Sequence, residues 1–427
     1  MRRLESQHHF WEAWTDGPVL LTRFGSKKDE NPRVARRILA TRPDAEAAMD
    51  AAIRHRTSRG MEEVDIVLEP VRDADLEARL HADPEDLETW RVYADWLQEG
   101  GNEPVWGALI AAELARMASE GRSDAQWQHC IALREQAYGE AARLELFPSL
   151  HPTFNDDLDR AELHCGFIRR FVGQQIDEPW TAWRFVRSIV CVPKSDTLQG
   201  LQRLEKIAPV GLRSITMSPD WQERTMLAWM SSTHVSWFRA VPNLEVLSLA
   251  GRSISLVDVD APRLRRLALM GLHLFDTTVR AIATGTLPRL EDLELWMGGH
   301  HGMDVGCDAS DIGVLLATAP TPEHLGALRH LRLRNAAFTD ALIPYLVTSP
   351  LLPQLETLDL SDGTLTTAGV HQLIAHAPRF AHLQLDLSGN VISGGAELEA
   401  ALPNAIFDAQ REYDPDNILE LYAAVVE

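Results

Sequence analysis

Apolar positions in the second half of the chain recur with one spacing. L-x-x-L-x-L appears six times between residues 212 and 360: Leu212/Ile215/Met217, Leu244/Leu247/Leu249, Leu264/Leu267/Leu269, Leu290/Leu293/Leu295, Leu328/Leu331/Leu333 and Leu355/Leu358/Leu360. A weaker copy follows, with Leu385 and Leu387 leading into Ser388-Gly389-Asn390 and Ile392. Successive first positions lie 32, 20, 26, 38 and 27 residues apart, and a further 27 reaches His382. Alternation within each copy predicts a short strand with its leucines on one face and the intervening residues on the other. One strand alone cannot bury such a face, so the copies are expected to stack in parallel. Each fully buried leucine then contributes roughly 1.5–3 kcal/mol before entropy is charged. Asp340 to Thr348 and Thr367 to Ala377 read as helices on the outer side, whereas the 20-residue copy has no room for one.

The pattern differs upstream. Phe10-Trp11-Glu12-Ala13-Trp14, an Asp16-Gly17-Pro18 turn and Val19 to Gly25 alternate as a small antiparallel sheet does, and a third strand is expected around Val34 to Ala40. Asp44 would cap a helix whose apolar stripe is Ala45, Ala48, Met49, Ala52 and Ile53. From about 70 to 145 the periodicity is helical, with Leu76, Leu80, Trp90, Tyr93, Ala94 and Leu97 at three and four, and Gly100-Gly101 as a stop. Leu163 to Val172 and Phe185 to Val192 read as strands that begin and cap the repeat array.

The repeat spacing resembles that of leucine-rich repeats, whose period is about 20–29 residues. Residues 1–67 resemble the bacterial WGR domain through the aromatic residues near Trp11, Arg23-Phe24-Gly25, Asp44-Ala45-Glu46-Ala47 and Arg59-Gly60-Met61. Where that family carries Trp-Gly-Arg, this chain reads Phe24-Gly25-Ser26, without the arginine. Leu80-His81-Ala82-Asp83-Pro84, Arg91 to Leu97 and Gly107-x-x-Ile110 resemble a short helical companion domain found beside bacterial leucine-rich repeats. The resemblances imply an α/β chain: a small α+β WGR-like domain (1–67), a helical companion (68–147), a leucine-rich-repeat solenoid (160–405) and a C-terminal cap (406–427). In the solenoid, parallel strands would line a concave face with helices or loops outside. They also imply function by recognition, and for the WGR family docking on DNA.

Composition narrows the setting. Apolar content of 45% and charged content of 24% are ordinary for a globular protein. No stretch approaches the ~18–20 apolar residues needed to span a bilayer, and the opening Met1-Arg2-Arg3 is followed by charged and polar residues rather than a signal-peptide core. Cys130, Cys165, Cys191 and Cys307 form no C-x-x-C pair. They read as reduced thiols in a cytoplasmic protein. Four lysines accompany 37 arginines, a bias expected of a GC-rich bacterial genome. The net charge of −21 is uneven: residues 1–60 carry twelve Arg/Lys against eight Asp/Glu, a net of +4, which leaves −25 for the remainder. An acidic body repels nucleic acid and anionic membranes, so any nucleic-acid contact must come from the N-terminal segment.

Candidate sites follow from these patterns. On the outward face of the repeat strands, Asp292, Glu294, Trp296, His330, Arg332, Arg334 and Asp359 are the residues expected to meet a partner protein, with Trp296 beside Arg334 as an aromatic and cationic pair. The competing account is that the charges satisfy each other, Glu294 with Arg332 and Arg332 with Asp359. Arg23, Lys27, Lys28, Arg33, Arg36 and Arg37 would contact phosphates if nucleic acid is bound. The insertion holding His300, His301, Asp304, Cys307, Asp308 and Asp311 crowds metal-type side chains at a spacing that matches no recognised ligand pattern, so it reads as a polar loop. No cofactor is expected. None of the common hydrolase, nucleotide-binding or metalloprotease motifs occurs, so the chain reads as non-catalytic.

Overall fold

The computed structural model describes residues 2–16, 19–27, 33–64, 72–99, 103–119, 124–138, 161–173, 180–191, 201, 204–217, 232–298, 306–393 and 396–412. The chain divides into two compact units, Met1–Val71 and Arg72–Glu427.

In the first unit, β1 (Arg2–Glu5), β2 (His9–Asp16), β3 (Val19–Ser26), β4 (Arg33–Ile38) and β5 (Glu62–Val64) form an antiparallel sheet in the order β4-β3-β2-β1-β5. Helix α1 (Arg42–Thr57) packs chiefly on β2 and β3. Leu4, Trp11, Ala13, Leu20 and Ile53 make the core, with Ala48, Met49 and Ala52 packed against it. The helix is capped not by Asp44 but by Thr41, whose hydroxyl accepts from the Asp44 amide at 3.3 Å. Asp44 sits in the first turn, where a carboxylate offsets the helix dipole. Strands β1 and β5 escaped the sequence reading because each is short and mostly polar. In β1, Leu4 alone supplies the core, fully buried.

The second unit opens with four helices, α2 (Ala74–Ala82), α3 (Leu87–Glu99), α4 (Pro104–Ala118) and α5 (Asp124–Tyr138). Asp73 caps α2 by accepting from the amides of Asp75 and Leu76. Gly107 is required where α3 and α4 cross, since a Cβ there would stand 2.5 Å from the Ala94 carbonyl oxygen.

A large mixed sheet follows: β6 (Ala161–His164), β7 (Phe167–Gly173), β8 (Ser188–Cys191), β9 (Ser214–Met217), β10 (Ser232–Val235), β11 (Val246–Leu256), β12 (Arg266–Leu274), β13 (Asp292–Gly298), β14 (His330–Ala336), β15 (Thr357–Asp359), β16 (Gln384–Asp386) and β17 (Ala405–Ile406). Its order is β17-β16-β15-β14-β13-β12-β11-β9-β8-β7-β6, and β10 pairs separately with β11. Only β6 and β7 are antiparallel among these pairings. The stretch read as one strand from Leu163 to Val172 is therefore a hairpin. It turns at Cys165 and Gly166, with φ of 48° and 86°, the positive values a two-residue hairpin turn needs.

Chain order equals spatial order from β11 to β17, and the leucines pair in register. Leu247 lies beside Leu267, then Leu293, Leu331, Leu358 and Leu385 in turn, all fully buried. Helices Asp276–Thr284, Ala309–Leu316, Thr339–Thr348 and Thr367–Ala375 connect successive strands and bury Val279, Ile312, Leu342 and Val370 against the same core. The first two of these helices were not anticipated. Buried Asn390 serves the backbone between copies: its amide donates to the carbonyls of Leu360 and Leu387, and its oxygen accepts from the Leu365 amide.

Near the ends of β14, β15 and β16, one position repeats. Asn335, Asp362 and Gly389 each stand four residues past Leu331, Leu358 and Leu385, with φ of 54°, 58° and 65°. These are the residue types that enter the left-handed region at least cost. In β11 and β12 the corresponding Gly251 and Gly271 remain within the ladder, and those strands run on.

A continuous core links helices and sheet, from Leu80, Trp90 and Tyr93 through Phe167 and Phe185 to Leu402. The helical segment, read from sequence as separate from the repeats, thus belongs to the same compact unit. A buried polar link ties them: Arg184 donates to the Tyr93 hydroxyl at 2.5 Å and to Glu103 at 2.9 Å, and Tyr93 donates to Glu77 at 3.0 Å.

Candidate functional site

Parallel pairing sets the outward residues of β12 to β16 into rows. One row reads Arg266, Asp292, His330, Thr357 and Gln384; the next Ala268, Glu294, Arg332, Asp359 and Asp386; a third brings Met270, Trp296 and Arg334 together. All seven predicted partner-facing residues lie in these rows. Their side chains are buried or half-buried, because neighbours on adjacent strands cover one another.

Charge pairing runs mostly on the diagonal. Arg332 binds Asp292, with Glu294 at 3.7 Å. Arg266 reaches Asp292 at 3.4 Å and Glu294 at 3.2 Å from the other side. The pairing expected between Arg332 and Asp359 is taken instead by Arg334, 3.6 Å from Asp359 and 2.5 Å from Asp362. Arg334 also donates to the Ser361 hydroxyl at 2.9 Å. Glu294 is drawn toward Trp296, whose indole Nε1 donates to it at 2.8 Å. The Arg334 guanidinium lies 4.7 Å from the Trp296 ring centroid, close enough for a cation–π attraction. His330 Nδ1 and the Thr357 hydroxyl are 3.0 Å apart.

These positions perturb the ionisation of two groups. Burial disfavours the Arg332 cation, yet the hydrogen bond and charge of Asp292, with Glu294 and Asp359, outweigh it and raise its pKa. Burial also raises the Asp359 carboxyl against the hydrogen bonds of Ser361 and the charge of Arg334, and neighbouring Asp386 pushes the same way. Asp386 accepts one bond from the Ser388 amide at 2.9 Å. Asp362 and Asp386 lay outside the predicted set. Asp386 was readable from the alternation, whereas Asp362 joins only because the left-handed turn after Ser361 swings it back toward Arg334.

The basic residues of the first unit are divided. Arg23 is held at 2.6 Å by Glu12, whose carboxylate is almost wholly buried, and its pKa is raised mainly by that hydrogen bond. Lys27 pairs with Glu5 at 2.5 Å. Lys28 lies outside the described residues. Arg33, Arg36 and Arg37 are exposed on β4. In the insertion, His300, His301 and Asp304 also lie outside the described residues. Cys307 is 3% exposed, and burial, with the charges of Asp311 and Asp308, pushes its thiol up to about 12. Asp308 and Asp311 are spent on a reciprocal cap of helix Ala309–Leu316. Among the described residues, no three His, Cys, Asp or Glu side chains stand close enough to hold a metal ion.

No family model matches the chain, and no curated protein matches it. A crystal structure of a protein from Bacteroides fragilis aligns with 96% of this chain and 97% of its own, at 17% identity and a TM-score of 0.44. No described helix is long and apolar enough to cross a membrane.

Proposed function

We propose that residues 160–405 form a leucine-rich-repeat solenoid preceded by a WGR-like domain and companion helices, and that the protein is a non-catalytic scaffold recognising a partner protein through the outward face of β12 to β16. The supporting observation is the row arrangement around Trp296, Arg332 and Arg334. Mutual ion pairing fixes these groups before a partner arrives, so little side-chain entropy remains to be lost on binding. The test is affinity capture from native extract with wild-type protein and with Arg332→Ala/Arg334→Ala. Selective loss of one recovered protein, with the variant still folded by circular dichroism at the capture temperature, supports the reading. Recovery of every protein at wild-type levels removes it.

A second reading draws on the exposure of Arg33, Arg36 and Arg37: a regulator that holds DNA or RNA through the N-terminal domain and recruits a partner with the repeats. Binding of mixed-sequence DNA that weakens as salt rises would favour it. No binding at low salt would end it.

A further inference from the structure

Strand β4 ends the N-terminal sheet, and among the described residues no strand pairs with its outer side. Alternate N–H and C=O groups along its six residues are left for another chain. Charge is the one protection this edge carries, in Arg33, Arg36 and Arg37; among the described residues a bulge, a proline and a cover are all missing. Its register with β3 runs unbroken from Val19 opposite Ile38 to Phe24 opposite Arg33, so no bulge twists the edge away. No proline interrupts Arg33 to Ile38. Helix α1 packs chiefly on β2 and β3, and Arg33, Ala35, Arg36, Arg37 and Ile38 are all exposed, so among the described residues nothing covers these five side chains. Ile38 is 69% exposed, a large apolar side chain at the strand end.

Charge decides what suits this edge. Two copies paired through β4 would set arginines against arginines, which is destabilising across strands. An extended segment alternating acidic and β-branched residues would instead place carboxylates on the face of Arg33 and Arg37 and β-branched side chains on the opposite face, beside Ile38 and the stem of Arg36. We propose that β4 is a strand-addition site that takes an acidic extended peptide from a partner protein. The ladder supplies main-chain hydrogen bonds, and the arginines supply selectivity.

The test uses the full chain and a labelled heptapeptide of alternating Glu and Val, followed by fluorescence anisotropy at low salt, with hydrogen exchange read at the β4 amides. The expected result is saturable binding with new protection on β4. Arg33→Glu/Arg37→Glu, both exposed on one face of the strand and expected to fold, should bind about tenfold more weakly and should accept a Lys-Val heptapeptide in its place. No binding of the acidic peptide overturns the proposal. So does tighter binding of DNA through the same arginines without β4 protection, which would give the strand to nucleic acid. A dimer that forms in wild type and is lost in the charge-reversed protein overturns it in favour of a second copy. Arg332→Ala/Arg334→Ala should bind the peptide as wild type does, so this result is separate from the fate of the repeat face.

Discussion

The guanidinium of Arg334 lies over the indole of Trp296, 4.7 Å from its centroid, while the same indole donates through Nε1 to Glu294. Trp296 is only 7% exposed, so the aromatic group is covered by its cation rather than offered bare to solvent. A double-mutant cycle with Trp296→Leu and Arg334→Met should give a coupling of about 0.5–2 kcal/mol in urea unfolding. Additive effects would show that the stacking contributes nothing to stability.

Leu358 is fully buried between Leu331 and Leu385. Leu358→Asp places an unpaired charge in that spine and should cost about 4 kcal/mol or more. Hydrogen exchange should lose protection on β14, β15 and β16 together, because each strand buries its leucine only against its neighbours. A soluble variant with wild-type melting would contradict this.

Gly166 has φ of 86°, and a Cβ there would meet Leu109 Cγ at 2.7 Å. Its carbonyl also accepts from the Tyr138 hydroxyl at 2.8 Å, so helix α5 is tied to the hairpin. Gly166→Ala should destabilise by about 1–3 kcal/mol through backbone strain and the Leu109 clash. Calorimetric melting checks it, and an unchanged midpoint would show that the turn can relax.

Burial, then the charges of Arg72, Arg187 and Arg213, hold the His81 imidazole at about 4, below the roughly 6.5 of an unfolded chain. Between those values the unfolded state binds the proton and the folded state does not. Stability therefore falls from this group as pH drops from about 6.5 to about 4, and levels off below. His81→Asn should flatten the pH dependence of unfolding free energy in that window. An identical slope in wild type and variant would place the sensitivity elsewhere.

Much of the fold was legible because the burial signal is local. The positions of L-x-x-L-x-L name the inward face of each strand without reference to any other, and Thr367 to Ala377 was readable as a helix for the same reason. The hairpin at Cys165-Gly166 was not, because Gly166 is the single turn-forming residue there and Cys165 rarely takes the positive φ that the reversal needs. Asn335, Asp362 and Gly389 did leave a signal, a small turn-forming residue four places after the second leucine. Gly251 and Gly271 hold the same place while their strands run on, so residue type at that position does not by itself set where a strand ends.

The site was legible to a lesser degree. Alternation alone fixed which residues look outward from β12 to β16, since side chains on a pleated strand have a period of two. The choice of partner for each arginine was decided by tertiary structure: Arg332 reaches back to Asp292, and Arg334 collects Asp359 and Asp362. Likewise, sequence determined that α3 would bury Trp90 and Tyr93, but only the folded chain brought Arg184 and Glu77 to the Tyr93 hydroxyl. Periodicity is written in neighbouring residues, whereas long flexible charged side chains choose among several carboxylates within reach, and that choice depends on positions dozens of residues away.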